Sequence, residues 1–307
     1  MQVTGCRPAG KQVTGFNKHH IAMNNFNVKL FVVSFLFVLA GLGCNVSADE
    51  EETVSHYQLN EPDKFIMPES LLEISGITFY KGKSDTVYAI QDEQGRLFKI
   101  GWGVKKQVNG KFGKQGDYED VAIVNETVII LKSNGTLFSF PLADAVYEEI
   151  DSVNEWKGLL PPGEYEGMCG DDETGSLYVV CKNCESDNSK NAVSGFILYA
   201  SDTIYRSGTF QINVDEIKTF TGKVKRGFRP SAIAKNPLTG EWFIISAVNK
   251  LLVVTDNNWK VKEASSLNGN IFNQPEGLAF DKDGNLYISN EGDDFSQGNI
   301  LKFVRSK

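Results

Sequence analysis

The stretch from Gln274 to Glu291 reads QPEGLAFDKDGNLYISNE, and the fold follows from it. A short apolar run, Leu278–Phe280, leads into the polar turn sequence Asp281–Asn285. The chain then enters Leu286–Ser289, which is rich in residues that suit a pleated, half-buried surface. This order predicts a β-hairpin, and Asn299–Phe303 offers a third strand after a polar loop.

The same unit recurs upstream. Four earlier copies start at Glu73–Ile77, Tyr118–Ala122, Tyr165–Met168 and Arg229–Ile233. Each copy is followed by a turn and by two further apolar runs. The aligned positions are 44, 47, 65 and 45 residues apart, and they are Gly76, Asp120, Gly167, Ala232 and Gly277. A repeated unit of about 45 residues built from short strands is typical of a propeller blade.

We therefore predict an all-β fold, a five-bladed β-propeller. The last repeat ends after its third strand, at Phe303, so its fourth strand must come from elsewhere. The segment Tyr57–Met67 precedes the first repeat and is placed to supply that strand. An N-terminal strand would then close the ring and remove exposed sheet edges.

Composition limits the class of partner. The chain has 307 residues, 41% of them hydrophobic and 23% charged, which is enough for one large core. The first 43 residues hold four of the 31 basic residues and no acid, so the rest carries 27 basic against 39 acidic residues, a formal charge of −12. Nucleic acid needs a basic face, so this composition argues against it and favours cations that prefer oxygen ligands.

Residues 1–43 are interpreted as an upstream segment followed by an export signal, with translation starting at Met1 or at Met23. Lys29 precedes an apolar run of 14 residues, Leu30–Gly43. This run is short for a bilayer span, which makes a retained transmembrane helix the weaker alternative.

Gly41-Leu42-Gly43-Cys44 resembles the lipobox of bacterial lipoproteins, in which the cysteine is diacylated and becomes the N-terminus. Residues 44–55 then form a lipidated, acidic tether, and residues 56–307 form the propeller domain. This predicts a cell-envelope protein held to a bacterial membrane, the outer one favoured, with its domain in the periplasm or at the surface. The alternative is an ordinary cleaved signal that happens to end near a cysteine.

Several motifs, in their order and spacing, resemble the SdiA-regulated family of bacterial propellers, which are distantly similar to NHL-repeat proteins. They are Glu73-x-Ser-Gly-Ile, Gln91-Asp-Glu-x-Gly-Arg-Leu-Phe, Tyr118-Glu-Asp-Val-Ala, Tyr165-Glu-Gly-Met and Pro275-Glu-Gly-Leu-Ala-Phe-Asp-x-Asp-Gly-Asn-Leu-Tyr-Ile. The resemblance covers about Glu73–Phe303. It implies an exported five-bladed propeller with a bound calcium ion and no established biochemical activity. The fourth repeat departs from the pattern, with Arg229-Pro230-Ser231 where the others have a glutamate.

A cation site is also expected from topology. The start of the innermost strand of a blade lies on the same propeller face as the end of the second strand. This places three groups of oxygen-bearing residues around one mouth of the channel. They are Glu73, Glu119, Glu166 and Glu276 at first-strand starts, Asp92 and Glu93 after one second strand, and Asn290 and Glu291 after another.

Converging carboxylates raise one another's pKa unless a cation or a basic side chain such as Arg229 compensates. Ca²⁺ accepts about 6 to 8 oxygen ligands in flexible geometry and suits such a ring. The metal ligands that we predict are Glu119, Glu166, Glu276, Glu291, Asp92 and Glu93. The alternative is that each glutamate accepts hydrogen bonds from backbone amides of the next blade and locks the ring.

Catalysis by histidine is excluded from the propeller body. The histidines are His19, His20 and His56, so neither a Ser-His-Asp unit nor a histidine-rich metal site can be assembled. No catalytic residue is assigned. We interpret the protein as a binding or scaffold module with a protein or carbohydrate ligand, and the alternative is a metal-dependent hydrolase of the lactonase or esterase type.

The body contains three cysteines, Cys169, Cys181 and Cys184. In an oxidising compartment one disulfide is expected, joining Cys181 either to Cys184 or to Cys169, with one thiol left over. The lone CxxC argues against a zinc ribbon. A redox function of Cys181 and Cys184 is a third interpretation, which requires a pair that cycles under mild reductant.

Overall fold

The computed structural model describes residues 53–103 and 107–306. The predicted export signal, the lipidation site Cys44 and nearly all of the tether lie outside the described residues. None of the helices that the structure describes is both long and apolar enough to cross a membrane.

Five four-stranded antiparallel sheets form a ring, which confirms the five-bladed propeller. A short hairpin and one strand come first, β1 (Thr53–Val54), β2 (Tyr57–Gln58) and β3 (Asp63–Ile66). Blade 1 comprises β4 (Ile74–Thr78), β5 (Val87–Gln91), β6 (Arg96–Ile100) and β7 (Val108–Lys111). Blade 2 comprises β8 (Tyr118–Val124), β9 (Thr127–Lys132), β10 (Leu137–Pro141) and β11 (Asn154–Trp156).

Blade 3 comprises β12 (Gly163–Asp171), β13 (Ser176–Cys184), β14 (Ala192–Ala200) and β15 (Ile204–Asn213). The helix α1 (Val214–Thr221) follows it and packs against β14 and the outer strand of blade 4. Blade 4 comprises β16 (Ala232–Lys235), β17 (Trp242–Ser246), β18 (Leu251–Thr255) and β19 (Val261–Ser266). Blade 5 takes β20 (Pro275–Phe280), β21 (Leu286–Asn290) and β22 (Asn299–Phe303). Short 3₁₀ turns occupy Glu69–Leu71, Tyr80–Gly82 and Leu142–Val146.

The fourth strand of blade 5 is β3, from the N-terminal side of the ring. It pairs antiparallel with β22, with Ile66 opposite Asn299 and Asp63 opposite Lys302. One sheet thus contains strands from both sides of the repeat array. Opening the ring between blades 5 and 1 would require this pairing or the adjoining interface to break.

The hydrophobic core lies between the blades rather than at the centre of the ring. Five clusters of buried side chains each join two neighbouring blades. Between blades 4 and 5, for example, Phe243 and Phe280 pack with their ring centroids 5.0 Å apart, and Tyr57 from β2 joins them. The Tyr57 hydroxyl donates a hydrogen bond of 2.6 Å to the carbonyl of Gly284, which ties the N-terminal hairpin to blade 5.

The five inner strands approach one another to backbone contact at one level of the channel, which we call the waist. The waist residues are Gly76, Asp120, Gly167, Ala232 and Gly277. A Cβ atom added to Gly76 would lie 2.5 Å from Asp120 Cα, and one added to Gly167 would lie 2.9 Å from Ala232 Cα. Such distances leave no room for a side chain, so the recurrence of small residues in the repeats follows from strand contact.

Asp120 is the only large waist residue, and its side chain bridges two blades. Its carboxylate accepts hydrogen bonds from the amides of Val121 at 2.8 Å and of Met168, in blade 3, at 2.6 Å. Burial raises the pKa of Asp120 well above its usual value, against the effect of these amides. A hydroxyl makes a similar bridge between blades 4 and 5, where Ser231 Oγ donates to the carbonyl of Pro275 at 2.8 Å.

Gly277→Ala is expected to destabilise the protein strongly. The new Cβ would lie 2.5 Å from the carbonyl oxygen of Ser75 in the neighbouring blade, so the two inner strands would have to separate. Overpacking of this kind costs about 2 kcal/mol or more, which should lower the melting temperature by roughly 5 °C. Gly269→Ala is the control, because nothing lies within 4 Å of its added Cβ. Equal melting temperatures for the two variants would contradict the waist.

Candidate cation site at one mouth of the channel

A β-bulge in the inner strand places a glutamate directly before the waist in three blades. In blade 2, Tyr118 pairs with Lys132 and Asp120 pairs with Leu131, which leaves Glu119 unpaired. The registers of β12 and β20 skip Glu166 and Glu276 in the same way. A bulge adds one residue and redirects its side chain. The three glutamates therefore occupy equivalent positions at one end of the channel, which we call the acidic mouth.

Blades 1 and 4 differ at this position. They carry serines, Ser75 and Ser231, directly before the waist residue. Glu73 lies two residues before Ser75 and outside β4, so it does not occupy the bulge position. Its carbonyl accepts a 3.4 Å hydrogen bond from the amide of Asp92, which places it close to the end of β5.

The bulge glutamates are buried enough, and close enough to other acids, for ionisation to be disfavoured. Burial, followed by the negative charges of Asp117 and Glu276, raises the pKa of Glu119 to about 8. Burial also raises the pKa of Glu276 to about 7, and Asp92 adds to this effect. The positive charge of Lys182 opposes both shifts. Acids from blades 1, 2 and 5 therefore influence one another across the mouth.

The acids at the ends of the second strands belong to the same cluster. Burial, then the charges of Glu73 and Glu93, raises the pKa of Asp92 to about 6. Burial, then the charges of Glu276 and Asp92, raises the pKa of Glu291 to about 7. Glu93 itself is exposed, so it stands at the rim of the mouth.

Lys182, which the sequence analysis did not single out, provides the positive charge in the mouth. Its ammonium group forms ion pairs with Glu166 Oε1 and, at 3.3 Å, with Glu164 Oε1. Lys250 lies nearby, and its ammonium donates to the backbone carbonyl of Phe272 at 3.1 Å. Arg229, the basic partner expected from sequence, forms no ion pair with any residue that the structure describes. The position of Lys182 inside the CxxC motif was the available signal.

Two oxygen acceptors near the mouth are buried without a hydrogen-bond partner among the described residues. They are Oδ1 of Asp92 and Oδ1 of Asn290, the last residue of β21. A buried acceptor without a donor is costly, so each points to a missing water or cation. Over residues 53–103 and 107–306, however, no group of three or more His, Cys, Asp or Glu side chains is arranged as a metal site. The acids are gathered, but they are not arranged around one point.

A large cavity lies at the opposite mouth of the channel. It has a volume of about 510 Å³, and all five blades line it. Its upper wall consists of the residues that directly follow the waist, Ile77, Val121, Met168, Ile233 and Leu278. None of the bulge glutamates lines it. The waist therefore separates this cavity from the acidic mouth.

Cys181 and Cys184 form a disulfide, and Cys169 keeps a free thiol. Both bridged cysteines are buried, with exposed fractions of 1% and 4%. Burial raises the pKa of the Cys169 thiol to about 12, so it remains protonated at neutral pH. A buried disulfide is poorly accessible to an external reductant, and this geometry does not favour the redox interpretation.

The model of the SdiA-regulated family matches residues 205–297 of the chain. Among curated proteins, none matches. Two solved structures share the propeller fold at 12% identity. Calcium-binding regucalcin from Agrobacterium tumefaciens has a TM-score of 0.51, with 79% of this chain and 93% of that chain covered. Glutaminyl cyclase from Myxococcus xanthus has a TM-score of 0.53, with 79% and 94% covered. The chain is thus a five-bladed β-propeller, part of which, residues 205–297, is similar to the SdiA-regulated family.

Proposed function

We propose that the protein binds Ca²⁺ at the acidic mouth and acts as a binding module. One observation carries this proposal. Three glutamates, from blades 2, 3 and 5, are placed by bulges directly above the waist, beside Asp92 and Glu291. Burial, and then the charges of neighbouring acids, raises the pKa of four of these five acids, and a bound divalent cation would favour their ionised forms.

The donor chemistry suits calcium. Carboxylates and amide oxygens are ligands of hard cations, and Ca²⁺ tolerates irregular arrangements better than Mg²⁺ does. Glu119, Glu166, Glu276, Asp92 and Glu291 would hold the ion. The unpartnered oxygens Asp92 Oδ1 and Asn290 would gain a positive partner. A calcium-binding regucalcin with a similar fold is consistent with this proposal but, at 12% identity, adds only the fold.

The locking alternative has less support. Within the described part of the chain, no backbone amide donates a hydrogen bond to the side chain of Glu119, Glu166 or Glu276. Glu166 accepts one from the ammonium group of Lys182. The residue that accepts amides from the next blade is Asp120. The bulge glutamates thus do not perform the bridging function that this alternative assigns to them.

The hydrolase alternative also has less support. A hydrolase needs an open metal position beside a substrate pocket. The large cavity lies at the other end of the channel, beyond the waist. We therefore favour a binding or scaffold module over a lactonase or esterase.

The proposed location is the bacterial cell envelope, with the domain anchored to a membrane, the outer one favoured, through a diacylated Cys44. Its ligand in this setting would be a protein or a carbohydrate. The acids Asp49–Glu52 in the tether and the net acidity of the domain favour solvation away from an anionic membrane surface.

Calcium should raise the melting temperature of the purified protein above its value in chelator. At a free concentration of 100 times Kd the stabilisation is about 2.7 kcal/mol, or roughly 5–10 °C. Glu276→Gln should weaken calcium binding about tenfold, because it removes one ligand charge. It should not lower the melting temperature in chelator, because the carboxylate is already disfavoured there. Calorimetric titration and melting curves measure both effects.

The control is Glu241→Gln, which removes a carboxylate that pairs with Lys262 away from the mouth. Its calcium affinity should equal that of the wild type. A melting temperature that does not respond to calcium would overturn the site. A Glu276→Gln variant that melts lower in chelator and responds normally to calcium would show that Glu276 is structural.

The stability of the calcium-free protein should fall as pH rises from about 5 to about 8. The folded pKa values of Glu119, Glu276, Glu291 and Asp92 lie above the usual carboxyl values, so the folded state holds more protons in this range. The free energy of unfolding then decreases with pH. Calcium binds the ionised acids, so the melting-temperature difference between calcium and chelator should widen with pH. A difference that stays constant from about pH 5.5 to 8 would contradict this assignment.

Cys44→Ser should move the protein from the membrane fraction to the soluble fraction of cells that export it. The wild-type protein should incorporate labelled fatty acid and partition into detergent, because two acyl chains anchor stably where one does not. Cys169→Ser, which changes a thiol inside the propeller, should behave as wild type. A membrane-bound Cys44→Ser variant would instead indicate that Leu30–Gly43 is retained as the anchor.

A further inference from the structure

We infer that Lys182 is a built-in competitor of calcium, whose ammonium group occupies the acidic mouth of the metal-free protein and leaves when the ion binds. The inference rests on the proposed calcium site and concerns its regulation. The ammonium group pairs with Glu166, one of the proposed ligands, and with Glu164 at the rim.

A β-bulge directs Lys182 into the mouth, as bulges do for the glutamates. In the pairing of β12 with β13, Tyr165 lies opposite Cys181 and Glu164 lies opposite Asn183, so Lys182 has no partner in the register. Glu166, on the facing strand, is unpaired as well. Two adjoining bulges therefore turn an acid and a base towards each other. Their side chains are only 9% and 19% exposed, so solvent screens the ion pair weakly.

The ammonium group acts on acids from three blades. It pairs directly with Glu166 of blade 3, and its charge lowers the pKa of Glu119 in blade 2 and of Glu276 in blade 5. These are the carboxylates that would bind the calcium ion. A divalent cation among them would be repelled by an ammonium group at the same place. Occupation of the mouth by Lys182 and by calcium is therefore mutually exclusive.

The backbone around Lys182 is held while its side chain remains free to turn. The disulfide between Cys181 and Cys184 encloses the residue, and both cysteines are buried beneath the end of β13. Exchange thus requires only rotation of the flexible lysine stem. Glu164, whose side chain is 44% exposed at the rim, already lies 3.3 Å from the ammonium and offers it a partner outside the mouth.

Lys250 is a less suitable competitor. Its ammonium group donates to the backbone carbonyls of Phe272 and Asn273 rather than to a carboxylate. Those carbonyls are not metal-ligand candidates in the mouth, so calcium does not compete for the contacts that hold Lys250. The charge of Lys250 also lowers the pKa of Glu276, but of these two lysines only Lys182 forms an ion pair with a carboxylate of the proposed site.

The test compares calcium binding by wild type, Lys182→Met and Lys182→Arg in calorimetric titrations with calcium chloride. Lys182→Met should bind calcium at least about tenfold more tightly than wild type, a change of about 1.4 kcal/mol. Lys182→Arg keeps the positive charge and should stay close to wild type. In chelator, Lys182→Met should melt below wild type because Glu166 loses its partner, and calcium should restore the difference.

The matched control is Lys235→Met. Lys235 also pairs with an acid that is 9% exposed, Asp171, but at the opposite mouth. This variant should lose stability in chelator and in calcium alike, with an unchanged calcium Kd. Circular dichroism shows whether each variant is folded, and Lys182→Gln replaces Lys182→Met if the latter is not.

The outcomes separate this inference from the proposed function. If the wild type binds calcium and Lys182→Met binds it with equal or weaker affinity, the competition is overturned and the proposed calcium site is retained. Tighter binding in Lys182→Met but not in Lys182→Arg supports the competition. No binding by any variant overturns the calcium site itself. Binding by Lys182→Met alone supports Lys182 as the occupant and overturns calcium binding by the wild-type protein.

Discussion

The contact between five inner strands at the waist is the constraint from which the other features follow. Because the backbones lie in contact, three of the five positions are glycine and a fourth is alanine, Ala232. The fifth position holds Asp120, which fits because its carboxylate accepts hydrogen bonds from backbone amides of its own blade and of the next blade. Close approach also divides the channel into two compartments with different chemistry.

The acidic mouth follows from how the chain enters the waist. In blades 2, 3 and 5 the inner strand adds one residue directly before the waist, and the bulge turns the side chain of that residue into the opening. Where it is glutamate, negative charge accumulates in a place that solvent reaches poorly, and the pKa values rise. Lys182 supplies a positive charge that partly compensates this negative charge. None of the bulge glutamates lines the cavity at the opposite mouth, where apolar residues that follow the waist lie beside charged residues such as Asp171 and Lys235.

The sequence was informative where a rule applies blade by blade. The recurrence of a short start motif before an apolar run predicted the number of blades and the inner strands, and its glutamates predicted the acids of three of them. The sequence placed Glu73 at this mouth, and the charge of Glu73 does act on Asp92 and Glu291 there, although blade 1 has Ser75 at the bulge position. It also proposed Arg229 as the basic partner, since the departure of one repeat from the pattern drew attention away from a lysine inside a cysteine motif. Strand register decides both points, and register depends on pairing between segments.

By itself, the sequence determined the propeller, because hydrophobic periodicity and turn chemistry are local properties that repeat five times. It also determined which residue types reach the channel face. Only the tertiary structure decided that Lys182 from blade 3 faces carboxylates of blades 2, 3 and 5, and that the large cavity lies beyond the waist from them. Lys182 is 63 positions from Glu119 and 94 from Glu276, and closure of the ring, rather than any local preference, brings these residues together.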